Sequence, residues 1–164
     1  MLNVRRTEMS LAGVKGIAGR VAAGRRSKGL ALADVARHLG IQDQWAYDLE
    51  TYDDDAPMTL SLGEVCDLAY LLAMSPRYLV CGEDWRRVAG TSSPQQIVGA
   101  IRTHLVAVSL SADEFGEAVG WDVGSVMDDP NRIWSDWNVD QAHEVCRAVG
   151  VDWRTLLPTS EHAV

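Results

Sequence analysis

A chain of 164 residues has room for one ordinary domain or for two of about 70 residues each. Its net charge of −8 argues against a uniformly cationic polyanion binder, and no apolar run approaches the roughly 18 residues that a membrane span requires. Residues 1–13 hold no signal-peptide core, and Cys66, Cys81 and Cys146 form no CxxC pair, so the cysteines read as small buried hydrophobes in a cytoplasmic, reducing compartment.

The charge is unevenly placed. Residues 1–40 hold Arg5, Arg6, Lys15, Arg20, Arg25, Arg26, Lys28 and Arg37 against Glu8 and Asp34, a balance of +6 that leaves −14 for the remainder. Residues 1–14 show too little periodicity to assign and read as an arm or a fraying helix. Residues 15–26 read as the first helix, with Ile17 and Val21 as inward anchors. Its glycines Gly16, Gly19 and Gly24 imply either close packing or a loose helix.

In residues 30–52 apolar side chains fall at Leu32, Val35, Ala36 and Leu39, a break follows at Gly40 and Ile41, and Ala46 and Leu49 resume the helical spacing. Glycine suits a left-handed position after a helix, so the segment reads as helix, tight turn, helix. Asp53, Asp54, Asp55, Ala56 and Pro57 then read as a solvated turn that excludes helix. Ser61 and Glu64 form a capping box for a helix burying Val65, Cys66, Leu68, Ala69 and Leu72. Ser75 with Pro76 starts a short helix that buries Tyr78 and Leu79.

Residues 84–93, with Gly90, Thr91, Ser92 and Ser93, read as a linker onto which Trp85 and Val88 could dock. From Pro94 the pattern repeats. One helix runs through Ile97, Ile101, Leu105 and Val108, and Ser111 with Glu114 opens another that ends at Gly120 and Trp121. An offset of 80 places Leu110 on Leu30, Gly116 on Ala36, Gly120 on Gly40, and the Glu-Val-Cys at 144–146 on that at 64–66. Beyond the cysteine the offset falls to 77, where Leu156 answers Leu79. Asn138 with Gln141, and Asp152 before Trp153, supply the later caps. The chain thus contains an internal duplication.

The motif carried by Leu32, Ala36, Leu39, Gly40, Ile41, Ala46, Leu49 and Glu50 resembles the helix-turn-helix of the phage-repressor family, also called the Cro or xenobiotic-response-element class. Residues 61–80 resemble the fourth and fifth helices of the same domain. The resemblance implies an all-α protein of two tandem five-helix, lambda-repressor-like helix-turn-helix domains. An arm (1–14) would precede the first domain (15–83), with a linker (84–93), a degenerate second domain (94–158) and a tail (159–164) after it. The motif's second helix would then enter the major groove, with Gln42 and Gln44 at base edges and Arg20, Arg25, Arg26, Lys28 and Arg37 on phosphates. Such a protein would be a small cytoplasmic transcriptional regulator that binds DNA through the first domain and its basic N-terminal region, acts as a homodimer, and uses the second domain for dimerisation or partner contact.

The residue chemistry also opens a second reading. Asp43 and Asp48 would lie near phosphates, a carboxylate accepts only from cytosine among the major-groove edges, and Trp45 is bulky for a groove-facing position. In the second copy residues 122–130 carry Asp122, Asp128 and Asp129, no cation, and Pro130, and are expected not to touch DNA. On this reading the chain is a protein-interaction module on a helix-turn-helix scaffold: an anti-repressor, an antitoxin-like protein or a transcription adaptor. Acidic surfaces and Trp45, Trp134 and Trp137 would make the contacts, although each tryptophan also suits a core. No histidine spacing, glycine-rich loop or nucleophile elbow suggests a metal, a cofactor or catalysis. The position of the cations discriminates: a continuous strip beside the motif's second helix favours DNA, and cations turned elsewhere favour a protein.

Overall fold

The first helix is held at its start by a carboxylate from far along the chain. In the computed structural model, which describes residues 16–161, α1 (Ile17–Ser27) has Gly16 at its N-cap and no cap of its own. Asp53 supplies one, accepting from the backbone N–H groups of Gly16 and Ala18 at 2.9 and 3.0 Å. These are two of the amides that a helix start leaves unpaired. One face of α1 buries Ile17, Ala18, Val21, Ala22 and Gly24. Gly24 answers the question its composition raised: a Cβ there would lie 3.1 Å from the Leu72 Cβ and 2.7 Å from the Met74 Cε, so this glycine marks close packing.

Next come α2 (Leu32–Leu39) and α3 (Asp43–Leu49). Gly40 ends α2 at φ 68, in the left-handed region, and the Ile41 N–H turns back to the Ala36 carbonyl at 2.9 Å. Val35 and Ala36 of α2 and Ala46 and Leu49 of α3 are buried, so the two helices share one apolar seam. After Tyr52 the expectation of a plain turn is corrected. A short α4 (Asp55–Thr59) forms with Pro57 as its third residue, where the missing N–H has no intrahelical partner to lose. The capping box of Ser61 and Glu64 then opens α5 (Leu62–Leu71), and Ser75 caps α6 (Pro76–Cys81).

A 3-10 turn, η1 (Gly82–Arg87), leads out of α6, and Val88 beyond it is 7% exposed, so this stretch packs onto the protein. Then follow α7 (Pro94–Val108), α8 (Ala112–Val119), α9 (Gly124–Asp128), η2 (Pro130–Arg132), α10 (Ile133–Asp136), α11 (Val139–Ala148) and η3 (Trp153–Leu156). Among the described residues every regular element is a helix, with no strand. None of those helices is long and apolar enough to cross a membrane.

The helices repeat in two registers. At an offset of 80, α8 matches α2, Gly120 (φ 81) matches Gly40, and buried Val126 matches buried Ala46. At an offset of 77, the N-caps Ser61 and Asn138 match, as do their N3 partners Glu64 and Gln141. The buried pairs Val65 and Ala142, Leu68 and Val145, and Ala69 and Cys146 follow in the same register. The Glu-Val-Cys match at offset 80 is therefore a coincidence of composition. Cys146 takes the place of Ala69, and the shortening falls earlier, where α9 has five residues against seven in α3.

Equivalent elements also meet. α10 packs on α5 while α4 packs on α11, and the two matching N-caps, Ser61 and Asn138, form an antiparallel bridge. The Leu62 N–H donates to the Trp137 carbonyl at 2.7 Å, and Asn138 Nδ2 donates to the Met58 carbonyl at 2.8 Å. Such reciprocity is the pattern of a two-fold, self-complementary interface, here within one chain. The buried residues of both halves form one continuous cluster, from Ile17 to Leu157.

Arg77, 2% exposed, ties the C-terminal end to this body. Its Nε donates to the Leu157 carbonyl at 3.0 Å and its two Nη atoms to Thr155 and Val88 at 3.3 and 3.4 Å. Backbone carbonyls thus accept from this buried cation, with the Asp152 carboxylate close enough to act on it electrostatically. The three cysteines are free and buried, and burial pushes their thiols up, to about 12 for Cys66 and Cys146 and about 11 for Cys81.

Candidate interaction face

Of α3, the inner side is fixed by Ala46 and Leu49, at 0% and 2% exposure, which leaves the rest of a seven-residue helix to solvent. The outward residues are Gln42, at the N-cap, then Asp43, Gln44, Trp45 and Tyr47. Trp45 is 56% exposed and Tyr47 52%, and Tyr52 and Met58 beyond the helix are 53% and 54% exposed. Four large apolar side chains in one short stretch exceed the scattered exposure usual on a soluble surface. Gln42 makes no capping hydrogen bond, and Gln44 Nε2 donates to the Asp48 carboxylate at 2.9 Å.

A cleft of about 110 Å³ lies between α3 and α4. Buried Leu49 and Leu60, with half-buried Ile41, form its apolar lining, and Trp45, Asp48, Asp55 and Thr59 complete it. Partial burial, with the neighbouring charges of Asp54 and Asp48, pushes the Asp55 carboxyl above its usual range.

The five cations assigned to phosphate do not form one strip. Arg20, half-buried, donates from Nε to the Leu79 carbonyl at 2.7 Å and from Nη2 to the Val80 carbonyl at 2.9 Å, closing the end of α6. Arg25 pairs with Glu50 at the end of α3 and donates to the Leu30 carbonyl at 2.7 Å. With 15% side-chain exposure for Arg25 and 8% for Glu50, this is an internal clamp. Both arginines, expected on phosphates, are thus engaged within the protein. Arg26 and Lys28 are exposed at the end of α1, and Arg37 is exposed and pairs with Asp34 at 3.1 Å. Arg5, Arg6 and Lys15 lie outside the described residues.

The other tryptophans divide. Trp137 is 1% exposed in the shared core, which corrects its reading as a surface contact, and its indole N–H finds no acceptor among the described residues. It stands where Leu60 stands in the first half, a bulkier residue in the same seat. Trp134 is half-buried against the core. In the second half, Val123 at the N-cap of α9 and Val126 within it are buried, and the Gly124 N–H donates to the Asp122 carboxylate at 2.8 Å. A wider, shallow groove of about 340 Å³ there is bordered by Trp121, Asp113, Glu117 and Asp122. Among the described residues no three His, Cys, Asp or Glu side chains gather as a metal would need.

Sequence reasoning missed Tyr47 and Asp55. The spacing of Ala46 and Leu49 already turns residue 47 outward, so that signal was present. Nothing local marked Asp55, because the cleft depends on how α4 folds back on α3. No protein-family model, curated protein or solved structure matches the chain.

Proposed function

We propose that the chain is a tandem helix-turn-helix protein of repressor type whose first unit docks a partner protein, with the second unit paired to it internally in place of a second copy. It belongs with the anti-repressors, antitoxin-like partners and transcription adaptors rather than with enzymes. The observation that carries the reading is the outer face of α3: Trp45 and Tyr47 flanked by Asp43 and Asp48, with no cation on the helix. Placed in a major groove, that face would set carboxylates against phosphates and a half-exposed indole against base edges. Set against a cationic protein surface, it offers an aromatic anchor inside an acidic rim, the usual make-up of a binding hot spot.

A second reading, DNA binding, is favoured by one group of observations. Arg26, Lys28 and Arg37 are exposed, and Gln42 and Gln44 stand at the start of α3 where adenine edges would be read.

One comparison separates the two. The wild-type chain is immobilised in nuclease-treated lysate of its source cells beside Trp45→Ala and Arg26→Ala/Lys28→Ala variants of equal helix content. The protein-docking reading expects a retained protein that the arginine–lysine variant keeps and Trp45→Ala loses. Retention of that protein by Trp45→Ala contradicts the docking reading, and nucleic acid held without nuclease treatment by the wild type but not by Arg26→Ala/Lys28→Ala favours the second.

A further inference from the structure

The cleft between α3 and α4 has an unusual composition for so small a space. Its lining is apolar at Leu49, Leu60 and Ile41, one side is the exposed indole of Trp45, and two carboxylates, Asp48 and Asp55, belong to it. No lysine or arginine lines it. Asp48 accepts one hydrogen bond, from Gln44, and the Asp55 carboxylate receives none among the described residues. Asp54 adds a third negative charge beside it, and Asp55 is the group that these neighbours and partial burial disfavour as an anion. Like charges at one site repel unless a cation comes between them.

We propose that this cleft receives one lysine or arginine side chain of the partner protein, its methylene stem along Trp45 and Leu60 and its charged head between Asp48 and Asp55. The inference rests on the protein-docking reading and adds the chemistry of the anchor. A long cationic side chain is the group whose two parts match the two parts of the site. Its stem buries apolar surface, its head stays at the acidic rim, and a guanidinium or ammonium can also lie over the indole face. At about 110 Å³ the cleft is on the scale of one such side chain. Because the charge sits at a rim, selectivity for a cation over its neutral isostere should be about tenfold.

The test is an NMR titration of the full chain with N-acetylarginine methylamide, N-acetyllysine methylamide and the neutral N-acetylcitrulline methylamide. Expected are saturable shifts of the Trp45 indole and of the Asp48 and Thr59 amides with either cation in the millimolar range. Citrulline should bind about tenfold more weakly, and Asp55→Asn and Asp48→Asn should each weaken the cations about threefold without affecting citrulline. Equal binding of citrulline, an unchanged affinity in both Asn variants, or no saturable shift with either cation overturns the proposal. None of these outcomes touches the docking reading itself, which fails separately if partner retention does not depend on Trp45.

Discussion

The Arg25 guanidinium crosses from α1 to Glu50 at the end of α3, while the next residue, Arg26, stands in solvent. Sequence gives the two arginines the same character, and the fold gives them different work. Removing Arg25 leaves a carboxylate at 8% side-chain exposure without its partner and frees the Leu30 carbonyl. Fully buried pairs cost about 3–5 kcal/mol when broken, and this one keeps a solvent edge, so Arg25→Ala should lower stability by about 2 kcal/mol in urea unfolding. Arg26→Ala should stay within about 0.5 kcal/mol of the wild type. Equal effects from the two would mean that the clamp contributes nothing. The ion pair was not legible beforehand because its members lie 25 positions apart on different helices, and neither carries a local signal.

At the scale of elements, the run Asp53, Asp54, Asp55 looks like one acidic turn and is three separate devices. Asp53 caps α1, Asp54 is the N-cap position of α4, and Asp55 enters the cleft. Their division follows from α4, whose proline reads as a helix breaker until it is seen to occupy the first turn. The caps within a few residues of their helices, at Ser61, Ser75, Ser111 and Asn138, were all legible, because each is a local exchange between a short side chain and the N3 amide. Asp53 was not, since it caps a helix 35 residues upstream. Asp55 also makes a prediction about pH. Its carboxyl is raised above 3.8, so folding is favoured when it is protonated, and that contribution is lost as pH rises through its folded-state value. Asp55→Asn should therefore stabilise the protein at pH 7 by a few tenths of a kcal/mol, with solvent screening holding it well below the ~1.4 kcal/mol of a full unit. The gain should vanish below pH 3.8. A variant less stable than the wild type at pH 7 would contradict the stated balance of charges around α4.

In the whole molecule, the repeat was legible in outline and its register was not. The offset of 80 holds where the turn glycines Gly40 and Gly120 coincide, and the capping box of α11 follows 77 because a shortened α9 shifts everything after it. The reciprocal packing of α4 on α11 and α10 on α5 had no trace in the sequence, since the residues that make it are ordinary apolar ones. It predicts that unfolding is a single transition, with tryptophan fluorescence and far-ultraviolet circular dichroism superimposed, and that Trp137→Ala destabilises both halves together by about 3–5 kcal/mol. Two separated transitions would show that the halves fold independently. Sedimentation equilibrium should return the mass of one chain, 17.9 kDa, because the self-complementary surface is already filled. The same arrangement leaves α3 facing outward with two carboxylates and two exposed aromatics, and the central claim is that this face does not read nucleic acid. Fluorescence anisotropy of a labelled random duplex at about 50 and 200 mM salt tests it most directly. The account predicts no saturable binding at either concentration. It is contradicted by binding at the lower salt that weakens by orders of magnitude at the higher and disappears in Arg26→Ala/Lys28→Ala.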